Sequence, residues 1–221
     1  MRAGLFGGTF NPIHMGHLKV ADQVLNRFGL DRLFLIPCRF PPHKAPAYLA
    51  PATDRMRMLE LALPADRRYR LSDVEIKRGG LSYTIDTVTH FSQQLVPGAD
   101  IYLVMGLDAF LDIHTWKYWQ RLLEMVRPVV VTRRIADEAP SATVLRRMND
   151  YIRTRLSDDY RLAGDRRCWQ RENSGDIHLV ENAPVDISSS HIRQLIRTGK
   201  SAAGLVPDAV WAYIEQKELY R

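Results

Sequence analysis

Leu5-Phe6-Gly7-Gly8-Thr9-Phe10-Asn11-Pro12-Ile13-His14-Met15-Gly16-His17-Leu18 decides how the rest of the 221-residue chain is read. Ala3 to Phe6 is short and apolar, as a buried strand is, and Gly7 and Gly8 allow a turn where no Cβ stands between backbone and ligand. After Pro12 an apolar stripe at Leu18, Ala21, Val24, Leu25 and Phe28 keeps helical spacing, and Gly29 stands where a helix stop is expected. A helix therefore begins near Gly16, with His14 and His17 at its start. Unpaired backbone N–H groups and the helix dipole favour an anion there. A lone histidine near a helix end is most often a solvated cap. A glycine pair, an Asn-Pro turn and His-x-Gly-His in one strand-turn-helix junction point instead to a nucleotide phosphate.

A chain of this length can bury a full core as one domain, expected to span residues 1–221 with a helical segment from about 188 onward. The formal net charge of +6 points to anionic partners without separating nucleotide, nucleic acid and lipid surface. Cys38 and Cys168 are the only cysteines, too few for a disulfide framework or a zinc site, so no metal ligands are expected and a reducing cytoplasm fits. No apolar run is long enough for a membrane span or a signal peptide, and a cytoplasmic enzyme without membrane attachment is the expectation.

Strand and helix signals alternate along the chain. Arg32 to Pro37 is an apolar run ended by proline, followed by a proline-rich loop from Cys38 to Pro51 that presents Pro41-Pro42-His43-Lys44. Pro51 opens a helix whose apolar side is read as Met56, Leu59 and Leu63, with Arg55 and Arg57 on other faces. Tyr69 to Ile76 alternates as a strand does. Gly79 to Thr84 turns into a helix with Ile85, Val88, Phe91 and Leu95 inward and a Ser or Thr cap. Ile101 to Gly106 and Pro128 to Arg134 are further buried strands, whose carboxyl ends carry Gly106, Asp108 and Arg133; ligands of open α/β sheets bind at such ends. Leu145, Met148, Ile152 and Leu156 mark a helix, 158–175 reads as a basic loop, 177–180 as a last strand, and helices follow from Ser188 and Pro207. The alternation predicts a Rossmann-like, doubly wound α/β fold: a mainly parallel sheet, helices on both faces and a small helical part at the carboxyl end.

Ile187-Ser188-Ser189-Ser190-His191-Ile192-Arg193 is a second helix start, built from hydroxyls and followed by a guanidinium that forks onto phosphate oxygens. Alone it reads as an ordinary serine cap; beside the first motif it makes a second phosphate site.

Gly-Gly-Thr-Phe-Asn-Pro-Ile-His-Met-Gly-His and Ile-Ser-Ser-Ser-His-Ile-Arg resemble the two signatures of the nucleotidyltransferase superfamily that shares His-x-Gly-His with class I aminoacyl-tRNA synthetases. The resemblance implies ATP contacts at Gly7, Gly8, Thr9, Phe10, Gly16, Ile187, Ser188 and Ser189. Asn11 stands where the bacterial pattern has Asp; it keeps the turn-forming side chain and loses the charge. Pro41-Pro42-His43-Lys44, Ser82-Tyr83-Thr84, Gly106-Leu107-Asp108 with Thr115-Trp116, and Leu219-Tyr220-Arg221 are similar to segments of the bacterial nicotinate mononucleotide adenylyltransferases. Nearly the whole chain takes part.

In that family the nicotinate ring stacks on the tryptophan matching Trp116, and backbone N–H groups near Thr84 and beside the tryptophan meet its carboxylate. The resemblance thus assigns Asn11, His43, Ser82, Tyr83, Thr84, Trp116 and Lys117 to the nicotinate nucleotide. By itself Trp116 also reads as a surface aromatic packed on Tyr118. Asp108 reads either as a partner of the ribose and adenylate side or as a cap of the next turn, and His43 as a residue that orients its loop.

The implied reaction joins nicotinate mononucleotide to ATP, with Mg²⁺, giving nicotinate adenine dinucleotide and pyrophosphate. A nucleotide 5′-phosphate is already mostly dianionic near neutral pH, so attack on the α-phosphorus needs positioning and charge stabilisation more than a general base. His14 and His17 suit the α-phosphate, Lys44 and Arg193 the triphosphate. The rival readings are a sister adenylyltransferase using nicotinamide mononucleotide or phosphopantetheine, and a non-catalytic protein that binds nucleic acid through the basic 133–171 region; with catalysis as the main reading, no nucleic acid is expected.

Overall fold

Short apolar strands separated by amphipathic helices make up the protein. Its computed structural model describes residues 1–40, 49–133, 142–164, 167–172, 174–182 and 187–221. Pro41, Pro42, His43 and Lys44, and Arg134 at the predicted end of a strand, lie outside the described residues.

In chain order the elements are β1 (Arg2–Gly8), α1 (Met15–Arg27), β2 (Arg32–Pro37), α2 (Ala52–Ala62), β3 (Tyr69–Leu71), α3 (Val74–Arg78), α4 (Thr84–Gln94), β4 (Asp100–Gly106) and α5 (Leu107–Leu111). There follow α6 (Trp119–Met125), β5 (Arg127–Arg133), α7 (Ala142–Tyr151), β6 (Arg161–Leu162), β7 (Cys168–Gln170), β8 (Ile177–Asn182), α8 (Ser189–Arg197) and α9 (Asp208–Gln216). A turn of 3₁₀ helix spans Ile113–Thr115, and a π turn at Ile152–Leu156 prolongs α7. The strand order is β3-β2-β1-β4-β5-β8-β7-β6, parallel at β2–β3, β4–β5 and β5–β8 and antiparallel along β8–β7–β6. This is the mainly parallel, Rossmann-like α/β arrangement that the alternation predicts. Among the described residues no helix is long and apolar enough to cross a membrane.

The chain divides into two compact units. The first holds Met1–Leu5, Val24–Asp31 and Tyr83–Val185. Its core is the parallel trio β4, β5 and β8, with Leu103 opposite Pro128 and Val130 opposite Leu179, and with Val104, Val129 and Val180 almost fully buried. The second holds Phe6–Gln23, Arg32–Ser82 and Asp186–Arg221. There β2 pairs with β3, and Leu33, Leu35, Met58, Leu59, Ile192 and Val210 are buried.

Several expectations are corrected. The strand read over Tyr69 to Ile76 stops at Leu71, because Ser72 Oγ accepts the Val74 N–H at 3.4 Å and the chain turns into α3. No Ser or Thr side chain caps α4; Tyr83 occupies that place without a side-chain cap bond. Part of the 158–175 segment read as loop is the β6–β7 hairpin, held by Trp169, which is completely buried. The buried side of α2 is Arg55, Met58, Leu59 and Ala62, so Arg55 lies on the apolar stripe and not on another face.

Candidate active site

In the second unit the His-x-Gly-His junction is a closed hydrogen-bonded knot. His14 N–H donates to His17 Nδ1 at 3.3 Å, and His17 N–H donates to His14 Nδ1 at the same distance. The two rings stack with centroids 3.7 Å apart and 22° between planes. With both Nδ1 atoms accepting, an imidazole that is neutral carries its proton on Nε2. His14 is buried and His17 half-buried.

Phe10 sets this geometry from below. Its ring is buried, meets Phe6 and His17 edge-on at 5.6 Å and 5.1 Å, and stands 3.2 Å from where a Cβ on Gly8 would be. Gly8 is therefore glycine for close approach to Phe10, whereas a Cβ on Gly7 would meet nothing within 4 Å. Because the Phe10 side chain is enclosed, only its backbone can reach a nucleotide. Gly16 lies in the first turn of α1.

The second motif docks on the first. Ser188 caps α8 by accepting the His191 N–H at 3.1 Å, and Ser189 Oγ donates to the Pro12 carbonyl at 2.9 Å. Arg193 Nη1 donates to the Asn11 carbonyl at 2.8 Å and Nη2 to Ser190 Oγ at 3.2 Å. Burial lowers the Arg193 pKa, from a value so high that the guanidinium stays charged. Asn11 Oδ1 in turn accepts from Ala50 N–H at 3.0 Å and from the Tyr220 hydroxyl at 2.9 Å. Both bonds need only an acceptor oxygen, which an amide supplies while avoiding the cost of a buried carboxylate. Asn at this position thus keeps the scaffold role.

Arg55 was missed by sequence reasoning. It is 1% exposed. Its Nε donates to Ala50 O at 3.0 Å, Nη1 to Thr9 O at 2.9 Å and to Cys38 O at 2.7 Å, and Nη2 to Arg39 O at 3.3 Å. Desolvation lowers its pKa, yet carbonyl dipoles surround the charge. The guanidinium ties the end of β1 to both described edges of the proline-rich loop. Its spacing with Met58, Leu59 and Ala62 is the signal that would have found it. Ser82 also serves this loop, accepting the Arg39 N–H at 3.2 Å and donating its own N–H to Phe40 O at 3.3 Å.

In the first unit a second group forms around Lys117. Its ammonium lies 4.7 Å from the centre of the Tyr83 ring, 5.5 Å from that of Tyr118 and 3.8 Å from Asp86 Oδ1. Thr84 opens α4 in the same segment. Trp116, half-buried, directly precedes Lys117, and the N–H groups of Thr115 and Trp116 already donate to Asp112 O and Ile113 O, each at 2.9 Å. No side chain caps the first turn of α4. Gly106 ends β4 and Asp108 sits exposed in α5, where it makes no capping bond. Arg133 is the last residue of β5.

The second unit thus gathers Asn11, His14, His17, Ser188, Ser189 and Arg193, and the first gathers Tyr83, Thr84, Trp116 and Lys117. His43 and Lys44 lie outside the described residues.

The cytidylyltransferase-like family matches residues 5–195. A "Probable nicotinate-nucleotide adenylyltransferase" of Desulfatibacillum aliphaticivorans is 37% identical over the full length of both chains. One of the same name from Pseudomonas syringae pv. tomato is 39% identical over all of this chain and 94% of its own. Among solved structures, the Plasmodium falciparum nicotinic acid mononucleotide adenylyltransferase complexed with NaAD has the same fold. It superposes with a TM-score of 0.72 at 17% identity, over 99% of this chain and 97% of that one.

Proposed function

The chain belongs to the cytidylyltransferase-like family, among its nicotinate-nucleotide adenylyltransferases, which join nicotinate mononucleotide and ATP into nicotinate adenine dinucleotide and pyrophosphate, and we propose how its residues carry out that step of NAD synthesis.

The observation that carries the assignment is the reciprocal His14–His17 bonding. It sets two imidazole rings side by side at the start of α1, where the helix dipole already favours an anion. A phosphate oxygen of the mononucleotide attacks the α-phosphorus of ATP; the new O–P bond forms as the bond to the β-phosphate oxygen breaks and pyrophosphate leaves with its electron pair. His14 and His17 stabilise the charge building on the α-phosphoryl oxygens. Arg193, with Ser188 and Ser189 at the start of α8, holds the triphosphate, and Lys44 joins it from the proline-rich loop. Gly7, Gly8, Thr9, Phe10, Gly16 and Ile187 supply backbone approach to ATP, and Gly106, Asp108 and Arg133 its nucleoside side. No proton transfer by a side chain is needed.

Mg²⁺ enters as part of the ATP substrate. The groups of Asn11, His14, His17, Ser189 and Arg193 are amide, imidazole, hydroxyl and guanidinium, which suit phosphate oxygens and not a hard dication. Bound with the triphosphate, Mg²⁺ would offset charge on the leaving pyrophosphate.

On the nicotinate side, Trp116 offers a flat aromatic face to the pyridinium and the amino end of α4 at Thr84 offers uncharged N–H donors to the carboxylate. Tyr83 and Lys117 fix that segment through their cation–π contact; in the second unit Ser82 braces the proline-rich loop that carries His43, and Asn11 holds the turn before His14. Both substrates are water-soluble nucleotides, and we place the reaction in the cytoplasm with no nucleic-acid or membrane partner.

The test is pyrophosphate release from ATP with Mg²⁺, offering nicotinate mononucleotide and its amide in parallel, for the wild type and Trp116→Ala. A preference for the acid, and a KM for it raised at least tenfold by the substitution with the KM for ATP unchanged, is expected. Equal use of acid and amide would overturn the carboxylate assignment, and an unchanged KM the stacking role of Trp116.

A further inference from the structure

The first unit carries a cluster of side chains with no part in adenylyl transfer. Cys168 on β7 is the register partner of His178 on β8, so both side chains project from the same face of the antiparallel pair. Asp176, two residues before His178, brings its carboxylate to the same place, and ligand atoms of Cys168, Asp176 and His178 lie within 4.8 Å of one another. We propose that these three residues form a binding site for a thiophilic divalent cation of the Zn²⁺ class, which pins the β6–β7 hairpin to β8.

The donor chemistry selects the ion. One thiolate, one imidazole and one carboxylate make a borderline-soft set that suits Zn²⁺ and Co²⁺ and is poor for Mg²⁺ or Ca²⁺. Three protein ligands leave the fourth tetrahedral position to water. Two cysteines in the whole sequence argued against a zinc site; the antiparallel pairing supplies the other ligands, which the sequence spacing does not announce.

The surroundings hold the ligands in place. The His178 ring packs edge-on against Phe28 at 5.0 Å and tilted to Tyr102 at 6.2 Å. Asp176 Oδ2 lies 3.5 Å from Gln170 Nε2 and 3.6 Å from Arg127 Nη1, so Oδ1 is the oxygen that can turn to a cation. Gly175 fixes where Asp176 starts: a Cβ there would lie 1.8 Å from the Val126 carbonyl oxygen, so only glycine fits. The nearby positive charge of Arg127 is balanced by Asp100, 3.0 Å away, and does not stand uncompensated beside the site. Orientation by such outer contacts is what raises metal affinity. On binding, the Cys168 S–H bond breaks, the sulfur bonds the metal and the proton goes to solvent.

The experiment uses the full chain, stripped with a chelator and titrated with Co²⁺. One equivalent should bind with a thiolate-to-cobalt charge-transfer band, and Zn²⁺ should displace it. Cys168→Ser should abolish the band, Cys38→Ser should keep it, and Asp176→Asn and His178→Gln should each weaken binding roughly 10- to 100-fold. Adenylyl transfer by Cys168→Ser at the wild-type rate shows that the variant is folded, and Zn²⁺ should raise the melting temperature of the wild type but not of this variant. No charge-transfer band in the wild type, a band that survives Cys168→Ser, or one that depends on Cys38 instead would overturn the proposal.

Discussion

The Tyr220 hydroxyl donates to Asn11 Oδ1 at 2.9 Å, joining position 220 to the turn that precedes His14. The same oxygen accepts the Ala50 N–H, and the Asn11 carbonyl accepts Arg193. Through its side-chain amide and its main-chain carbonyl, Asn11 therefore links the His-x-Gly-His turn, the far edge of the proline-rich loop, α8 and the segment after α9.

Tyr220→Phe removes one of these bonds and leaves Oδ1 its Ala50 partner. A loss of about 1 kcal/mol in urea unfolding is expected, with a small fall in kcat. Asn11→Ala strips both acceptor bonds and should cost more than twice as much. Equal effects of the two substitutions would show that the amide is not the hub.

His14→Ala and His17→Ala should each lower kcat by roughly 10² to 10³-fold with the KM for ATP little changed, as loss of a donor to the transition state does. Since each backbone N–H bonds the other ring, removing one ring also loosens its partner. The double variant should then fall far short of the product of the single effects. Multiplicative losses in steady-state kinetics would argue that the rings act separately.

Arg55→Met leaves four backbone carbonyls without their guanidinium, and should destabilise the chain by about 3 kcal/mol or more in denaturant unfolding. Arg55→Lys should recover little, because one ammonium cannot span four carbonyls spread along three stretches of the chain. Rescue by lysine would mean that charge alone matters at this position.

Burial pushes the Tyr69 hydroxyl up to about 12, and burial also raises Tyr220. A phenol whose folded pKa lies above its unfolded value keeps its proton longer in the folded chain. Stability is therefore intact below about pH 10 and declines as the pH rises from there through about 12, because the unfolded state ionises first. Urea midpoints should fall over this window, and less steeply for Tyr69→Phe. Parallel slopes for the two proteins would refute the link.

Several features were legible in residue order because they rest on local rules. A glycine pair, an Asn-Pro turn and apolar residues at helical spacing identify β1 and α1 wherever the chain is met, and Ser188 caps α8 as a hydroxyl before a helix does. The alternation of apolar runs and amphipathic stretches was enough to predict the parallel α/β fold. Elements without strong periodicity were less legible: Tyr69 to Ile76 fits a strand as well as it fits three strand residues and a helical turn, and the short β6–β7 hairpin has no alternation to announce it.

By itself the sequence determined the strand-turn-helix junction that holds His-x-Gly-His, the second hydroxyl-rich helix start and the order of the elements, because each depends on contacts within a few residues. The tertiary structure alone decided that Arg55 reaches Thr9 and Cys38, that Tyr220 reaches Asn11 and that Cys168 meets His178. The partners in those contacts lie 10 to more than 200 positions apart, with Arg55 bonding Thr9 and Cys38. No local pattern encodes them: a buried polar group takes whichever donor or acceptor the packed chain brings within reach, because leaving it without one costs more than any local preference is worth.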